Sequence, residues 1–346
     1  MSASFRELLK KVGSGPHTGK NLTRAEAATA TRLMLQQEAT PAQIGAFMIA
    51  HRMKRPTAEE LAGMLDAYDE IGGRIPALEM ESPVTVFGVP YDARSRTATV
   101  FPITLLLLAS VGVPVISHGG ACMPTKYGVP FAKIWEALGV NYQSFSLRDS
   151  QQLLRETGIG FYYLPQHFPE ADKLIPYREE IGKRPPFATI ELIWSPYAGN
   201  ANLISGFVHP PTENRFREVF TLREMQQLIT VKGLEGSCDL ARNRTAIIGL
   251  NQRNQEFQRL ALHPESYGFA GRDVLLESPE KLIEQLQTII AGKPGEFMSA
   301  ALWNGGIYLW LCGVTSDLET GLATAEELIT GGAVAEKLKE LQGTSL

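Results

Sequence analysis

The sequence predicts an α/β protein in which a small N-terminal helical bundle precedes a larger domain built on a mainly parallel sheet. Three observations carry that prediction. Residues up to about 72 show helix start signals and helical apolar spacing, with no strand pattern. From about residue 83, short β-branched runs alternate with apolar helical stretches, as parallel βαβ units require. The chain has 346 residues, 44% of them hydrophobic, which is ample for a buried core without cross-links.

In the bundle, Thr23 is placed to cap a helix, and Glu26 three residues later completes a capping box. Thr40 caps a second helix with Pro41 at its first position, and Ile44, Phe47, Met48 and Ala50 fall at helical spacing. Thr57 and Glu60 open a third, whose buried face is Leu61, Met64 and Leu65. Next come predicted strands at 84–87 and 113–116, joined by an apolar helix at 103–110. Further strands are predicted at 160–163, 201–208, 227–231 and 273–276. Helices are predicted at 132–138, 147–155, 279–291, 298–312 and 324–341. The domain boundaries expected are 1–75 and 80–346, with the part near 165–185 packing on the bundle.

Composition narrows the function. Lys and Arg total 33 against 37 Asp and Glu, a formal charge of −4. That argues against coating nucleic acid with the whole surface, while permitting a local basic groove. Cys122, Cys238 and Cys312 form no CxxC pair, so a reducing cytoplasmic setting is expected. The first residues carry no apolar core of a signal peptide. The apolar stretch 100–116 is broken by Pro102 and Pro114 and falls short of the ~20 residues a membrane span needs. It reads as a buried helix running into a strand, and no membrane partner is expected.

Ligands of open α/β sheets collect outside the carboxyl ends of the strands. After the first strand come Gly88, Asp92, Arg94, Arg96 and Thr97. A glycine, hydroxyls and two arginines there could hold a phosphate; a solvated surface loop reads equally well. After the second strand, His118, Gly119 and Gly120 precede Lys126, which can supply a point charge to a phosphate. A lone histidine at a strand end is more often structural. After residue 231, Glu235 and Asp239 flank a glycine turn and could hold Mg²⁺ through oxygen ligands; a plain polar turn explains them as well. Arg178 sits in a charged helix end that needs no function.

Together these segments resemble the anthranilate phosphoribosyltransferase family, within the fold group of glycosyltransferase family 3 and the nucleoside phosphorylases. The similarity is clearest in Leu22-Thr23-Arg24-Ala25-Glu26-Ala27, in 38–47, in Glu59-Glu60-Leu61-Ala62-Gly63-Met64 and in Glu136-Ala137-Leu138-Gly139-Val140-Asn141. It runs in order over nearly the whole chain. The resemblance implies a cleft between the two domains, a homodimer through the helical domain, and Mg²⁺-assisted pentosyl transfer. The donor it implies is phosphoribosyl pyrophosphate (PRPP) and the acceptor an aromatic or nitrogenous compound.

Carried over residue by residue, the resemblance places Gly88, Asp92, Arg94, Arg96 and Thr97 on the pyrophosphate side. His118, Gly119 and Lys126 fall near the ribose phosphate, Arg178 orients the acceptor, and Glu235 and Asp239 hold the metal. Several positions depart from the family pattern. The family's GTGGD reads Gly88-Val89-Pro90-Tyr91-Asp92, without the inner glycines, and its Asp-Glu metal pair falls on Cys238-Asp239. A divergent group of paralogues, the YbiB-like group, is similar in its Val-Pro-Val-x-x-His-Gly segment and Lys-Gly-x-Glu-Gly turn. That second resemblance implies a non-catalytic protein that binds nucleic acid through a basic groove. Candidates for such a strip here are Arg94, Arg96, Lys126, Lys183, Arg184, Lys232, Arg242 and Arg244.

Overall fold

The computed structural model describes residues 3–15, 17–89, 94–121 and 123–344. Asp92, assigned above to the pyrophosphate side, lies outside the described residues, as do Pro90, Tyr91 and Cys122. The chain folds as a helical bundle followed by a larger α/β domain.

The bundle is α1 (Ala3–Gly13), α2 (Arg24–Leu35), α3 (Pro41–Lys54) and α4 (Ala58–Ile71). Helices α2, α3 and α4 each start at a reciprocal capping box, Thr23 with Glu26, Thr40 with Gln43 and Thr57 with Glu60. Each box satisfies amide donors that a helix start would otherwise leave open. Glu60 does more than cap. It is buried, and its carboxylate accepts from the Leu22 amide at 2.8 Å and from Lys54 Nζ at 2.7 Å, with His51 Nε2 at 3.5 Å.

The larger domain runs β1 (Val84–Gly88), α5 (Phe101–Ser110), β2 (Val115–Gly119), α6 (Phe131–Ala137), α7 (Leu147–Thr157) and β3 (Ile159–Tyr163). Four short helices follow: α8 (Leu164–His167), α9 (Pro169–Asp172), α10 (Ile175–Ile181) and α11 (Phe187–Ile190). They pack on the bundle, where Phe168, Ala171 and Leu174 join Tyr68 in one apolar cluster. Then come β4 (Ala201–Gly206), α12 (Pro210–Leu222), β5 (Gln227–Val231), β6 (Ala246–Gln252) and β7 (Gln258–Leu262). The chain ends in α13 (Pro279–Ile290), α14 (Met298–Leu311), α15 (Leu318–Thr330) and α16 (Ala333–Gly343).

The strands form one sheet in the order β3-β2-β1-β4-β5-β6-β7. The first five pair in parallel, and β6 and β7 add an antiparallel edge. Both faces are covered, as a parallel sheet requires. On one face Phe87 and Val115 pack with α5, α13 and α14; on the other Val84 and Val86 meet α12 and the bundle. The bundle is held to α12 by charge as well. Arg223 pairs with Asp66 and Asp69, Arg24 pairs with Asp66 at 2.6 Å, and Trp194 Nε1 donates to Asp69 at 3.0 Å. No described helix is long and apolar enough to cross a membrane.

Four expectations need correction. The strand predicted at 113–116 is β2, which continues through His118 and Gly119 because both pair with β3, opposite Tyr162 and Tyr163. The predicted strand at 273–276 is absent from the sheet; a single bridge joins Leu275 to Thr97. The helix expected at 324–341 is two helices, parted at Gly331-Gly332, where Gly332 has φ +90°. The β6–β7 hairpin is missing from the sequence reading. Its edge strand exposes Gln258 and Arg259, and Gly249 interrupts the apolar run of β6.

Burial alone would push the Glu60 carboxyl up, but His51, Lys54 and the Leu22 amide outweigh it and hold it at about 2, against an ordinary 4.5. A depressed carboxyl stabilises the fold fully above its unfolded value and loses that contribution as pH falls through the folded one. Glu60→Gln should therefore lose on the order of 2 kcal/mol at pH 7. Its stability should also fall less than the parent's between pH 5 and 2, in urea unfolding followed at each pH.

Candidate functional site

The order of the sheet reverses at β1, which is flanked by β2 on one side and β4 on the other. Crevices form outside the carboxyl ends of strands at such a switch point. A cleft of about 770 Å³ lies beyond β4 and β5. Its walls are Gly206 to His209, the turn after β5, and, from the helical side, Arg52 and residues of the 182–189 segment.

Close backbone packing shapes its floor. A Cβ on Gly206 would stand 2.2 Å from the Ser237 carbonyl oxygen, and one on Gly233 1.8 Å from the same atom. The turn after β5 can lie flush on β4 only with glycine at both positions. Glu235 and Gly236 complete the reversal with φ of +53° and +88°.

That turn carries the two predicted metal carboxylates, and both have partners, though Asp239 Oδ1 is buried without one among the described residues. Glu235 Oε1 accepts from the amides of Arg96 (3.1 Å) and Thr97 (2.9 Å) and from Thr97 Oγ1 (2.9 Å). Its Oε2 lies 3.3 Å from Arg96 Nε and 3.7 Å from Lys126 Nζ, which also donates to the Glu235 carbonyl at 3.2 Å. Burial opposes ionisation of Glu235, but Thr97, the Arg96 amide and Lys126 prevail and lower its pKa. Asp239 is 1% exposed. Its Oδ2 pairs with Arg94 Nη1 and accepts from Thr99 Oγ1 (2.7 Å) and the Val100 amide (3.1 Å), at the start of α5. It does not line the cleft.

These positions do not suit Mg²⁺. A hard cation needs oxygen lone pairs turned toward the ligand. Here three hydrogen-bond donors fix Glu235 to the 96–97 segment, and Asp239 serves as the buried counter-ion of Arg94. Glu235 and Asp239, the residues expected to hold Mg²⁺, each have structural partners in this chain.

Of the other predicted site residues, Arg96 and Lys126 line the cleft with Glu235. Burial, then the charges of Arg184 and Arg96, pull the pKa of Lys126 down, with Glu235 acting against them. Arg94 is buried, so its charge serves Asp239, and Thr97 serves Glu235. His118 is 2% exposed within β2, its ring edge-on to Trp194, and burial lowers its pKa to about 3, leaving a neutral imidazole behind the site. Gly119 is buried beside it. Gly88 is required by packing, since its Cβ would stand 1.8 Å from the Leu192 carbonyl oxygen. Arg178 is wholly buried and paired with Glu191, which also accepts from Tyr68 at 3.1 Å. It ties α10 to α11 and α4 and is not among the residues lining the cleft.

The cleft is cationic nonetheless. Arg96, Lys126, Lys183, Arg184, Lys232 and Arg244 line it, and Glu235 is the one carboxylate among the described lining residues. Six of the eight strip candidates therefore converge. Arg94 does not, and neither does Arg242, whose Nε donates to the Phe269 carbonyl at 2.9 Å. Sequence reasoning missed Arg52, Gly206 and His209. A glycine closing a strand was the available signal for Gly206, and nothing local marks Arg52.

Fold and site define a two-domain α/β protein that presents cations at the carboxyl edge of a parallel sheet. Residues 6–72 match the helical bundle domain of the glycosyl transferase family and residues 96–335 match its α/β domain. The chain belongs to that family. It is 28% identical to the anthranilate phosphoribosyltransferase of Cupriavidus necator over 316 residues, 89% of this chain and 90% of the relative. The fold is shared with the crystal structure of anthranilate phosphoribosyltransferase from Thermus thermophilus, at a TM-score of 0.77 and 21% identity over 97% of this chain and 98% of that one. It is shared also with the Saccharomyces cerevisiae enzyme in complex with PRPP and Mg, at 0.82 and 15% over 99% and 97%.

Removing one partner of a buried ion pair leaves the other charge uncompensated. Arg94→Ala should destabilise the chain by about 3 kcal/mol in urea unfolding. Adding Asp239→Asn to that variant should recover part of the loss, because the orphaned charge is gone while an acceptor remains for Thr99 and Val100.

Proposed function

We propose that the cleft binds a phosphorylated pentose ligand, PRPP in the family's chemistry, and that the protein transfers the pentosyl group to an aromatic or nitrogenous acceptor. The observation that carries this reading is the lining of seven cations and one carboxylate in a cleft of about 770 Å³. Low-dielectric walls lined by one sign of charge concentrate the opposite sign. Cations held at a leaving pyrophosphate stabilise the charge that develops as its bond to the sugar breaks. Arg96 pairs with Glu235 through Nε but is 77% exposed and so reaches such a group, and Lys126 stands beside it. The relatives' names supply anthranilate as an acceptor; Arg178, matched to the acceptor arginine, is held by Glu191 in this chain. A homodimer through the helical domain and a cytoplasmic setting belong to the same proposal.

Calorimetric titration with PRPP tests it. Saturable binding is expected, weakened about tenfold by Lys126→Ala or by Arg96→Ala, the size of one charge-assisted contact. No heat at millimolar PRPP would sink the transferase reading.

One observation favours a second reading, in which the protein binds nucleic acid. A further cavity of about 680 Å³ adjoins the cleft, sharing Arg52, Arg184 and His209 and adding Arg55 and Arg215. The two make one cationic groove from α3 to the sheet, longer than a single pentose phosphate needs. Under this reading oligonucleotide affinity falls steeply with salt. Arg55→Ala and Arg215→Ala should each lower the log–log salt slope by about 1. Unchanged slopes in both variants would remove it.

A further inference from the structure

The divalent ion that the family resemblance assigns to this cleft would face carboxylates that side-chain cations already neutralise. The two halves of each pair differ in freedom. Glu235 is 4% exposed and cannot turn outward without releasing three hydrogen bonds to the 96–97 segment. Its partners Lys126 and Arg96 are 28% and 77% exposed and line the cleft. Asp239, whose Oδ1 has no hydrogen-bond partner among the described residues, lines a separate void of about 10 Å³ together with Arg94, Arg242 and Asp273. A metal ion there would meet two guanidinium groups as well as two carboxylates, in space for at most one water.

We propose that side-chain cations stand in for the divalent ion: Lys126 and Arg96 bind the phosphoryl groups directly, and Glu235 is the internal anion those groups displace. The inference rests on the cleft's being an anion site, as proposed above. It adds that binding there is independent of metal. A ligand phosphate approaching Lys126 exchanges one anionic partner for another, so the carboxylate acts as a competitor and not as a ligand to the metal. The opposite role predicts the opposite sign on removing its charge. In Glu235→Gln the amide oxygen can still accept from Arg96 and Thr97, which keeps the turn in place.

The test is calorimetric titration of the full chain with inorganic pyrophosphate, in excess EDTA and again with millimolar Mg²⁺. We expect affinities within about twofold of each other, and a gain of about three- to tenfold in Glu235→Gln, where both cations lose their competitor. Tightening of about tenfold or more by Mg²⁺, or weaker binding in Glu235→Gln, would overturn the proposal. If the parent binds no pyrophosphate in either buffer, the anion-site reading fails. Titration of the same protein with Mn²⁺ alone, followed by electron paramagnetic resonance, then decides the metal question by itself. A saturable Mn²⁺ site abolished by Glu235→Gln would contradict the inference, and absence of one supports it.

Discussion

The buried pair of Arg94 and Asp239 is the joint on which the site region depends. Asp239 closes the turn after β5, while Arg94 begins the segment that leads into α5. The same carboxylate accepts from Thr99 and from the Val100 amide, so the start of α5 is held by a residue far along the chain. Leu234 N donates to the Asp239 carbonyl at 2.7 Å, which draws the turn into its tight loop and sets Glu235 facing Thr97. Burying both charges carries a desolvation cost, offset only when the geometry is good and further hydrogen bonds complete the carboxylate. Here a hydroxyl and an amide satisfy Oδ2, while Oδ1 is buried with no hydrogen-bond partner among the described residues.

Charge is sorted by place in this molecule. The whole chain is slightly acidic at −4, yet the cleft and its neighbouring cavity are lined by cations with a single carboxylate among the described residues. Acidic groups meanwhile work at seams. Asp66 and Asp69 bind Arg24, Arg223 and Trp194 where the bundle meets α12, and Glu191 binds Arg178 where α11 meets α10. The cleft opens between these seams, so its cations are fixed against each other by elements from both domains. Such a region of positive potential attracts phosphorylated ligands over a distance set by ionic strength.

How much was legible depended on whether a feature is local. The capping boxes at Thr23 and Thr57 are written within four residues, and each forms as the spacing predicts. Strand β1 and helix α5 each follow from a short apolar run of their own. Strand β7 escaped because an edge strand with one solvated face needs few apolar residues, and its pairing partner decides its conformation. In the site, Arg96 and Lys126 were legible as cations after strand ends. His118 misled, because β2 runs three residues further than its β-branched core and carries the imidazole into the sheet.

The sequence by itself determined the fold class, the capped helices of the bundle, the first βαβ unit and the segments at which a ligand would meet the sheet. Those follow from periodicity, caps and glycines, which act over a few residues. Only the tertiary structure decided what each charge there is used for. Arg94, Arg178, Asp239 and Glu235 read as ligand-binding residues in one dimension. Their partners lie 145, 13, 145 and 139 residues away, respectively, at Asp239, Glu191, Arg94 and Arg96. Whether a charge faces a ligand or an internal partner is set by long-range packing, because the free energy of a charge depends on its burial and its nearest counter-ion.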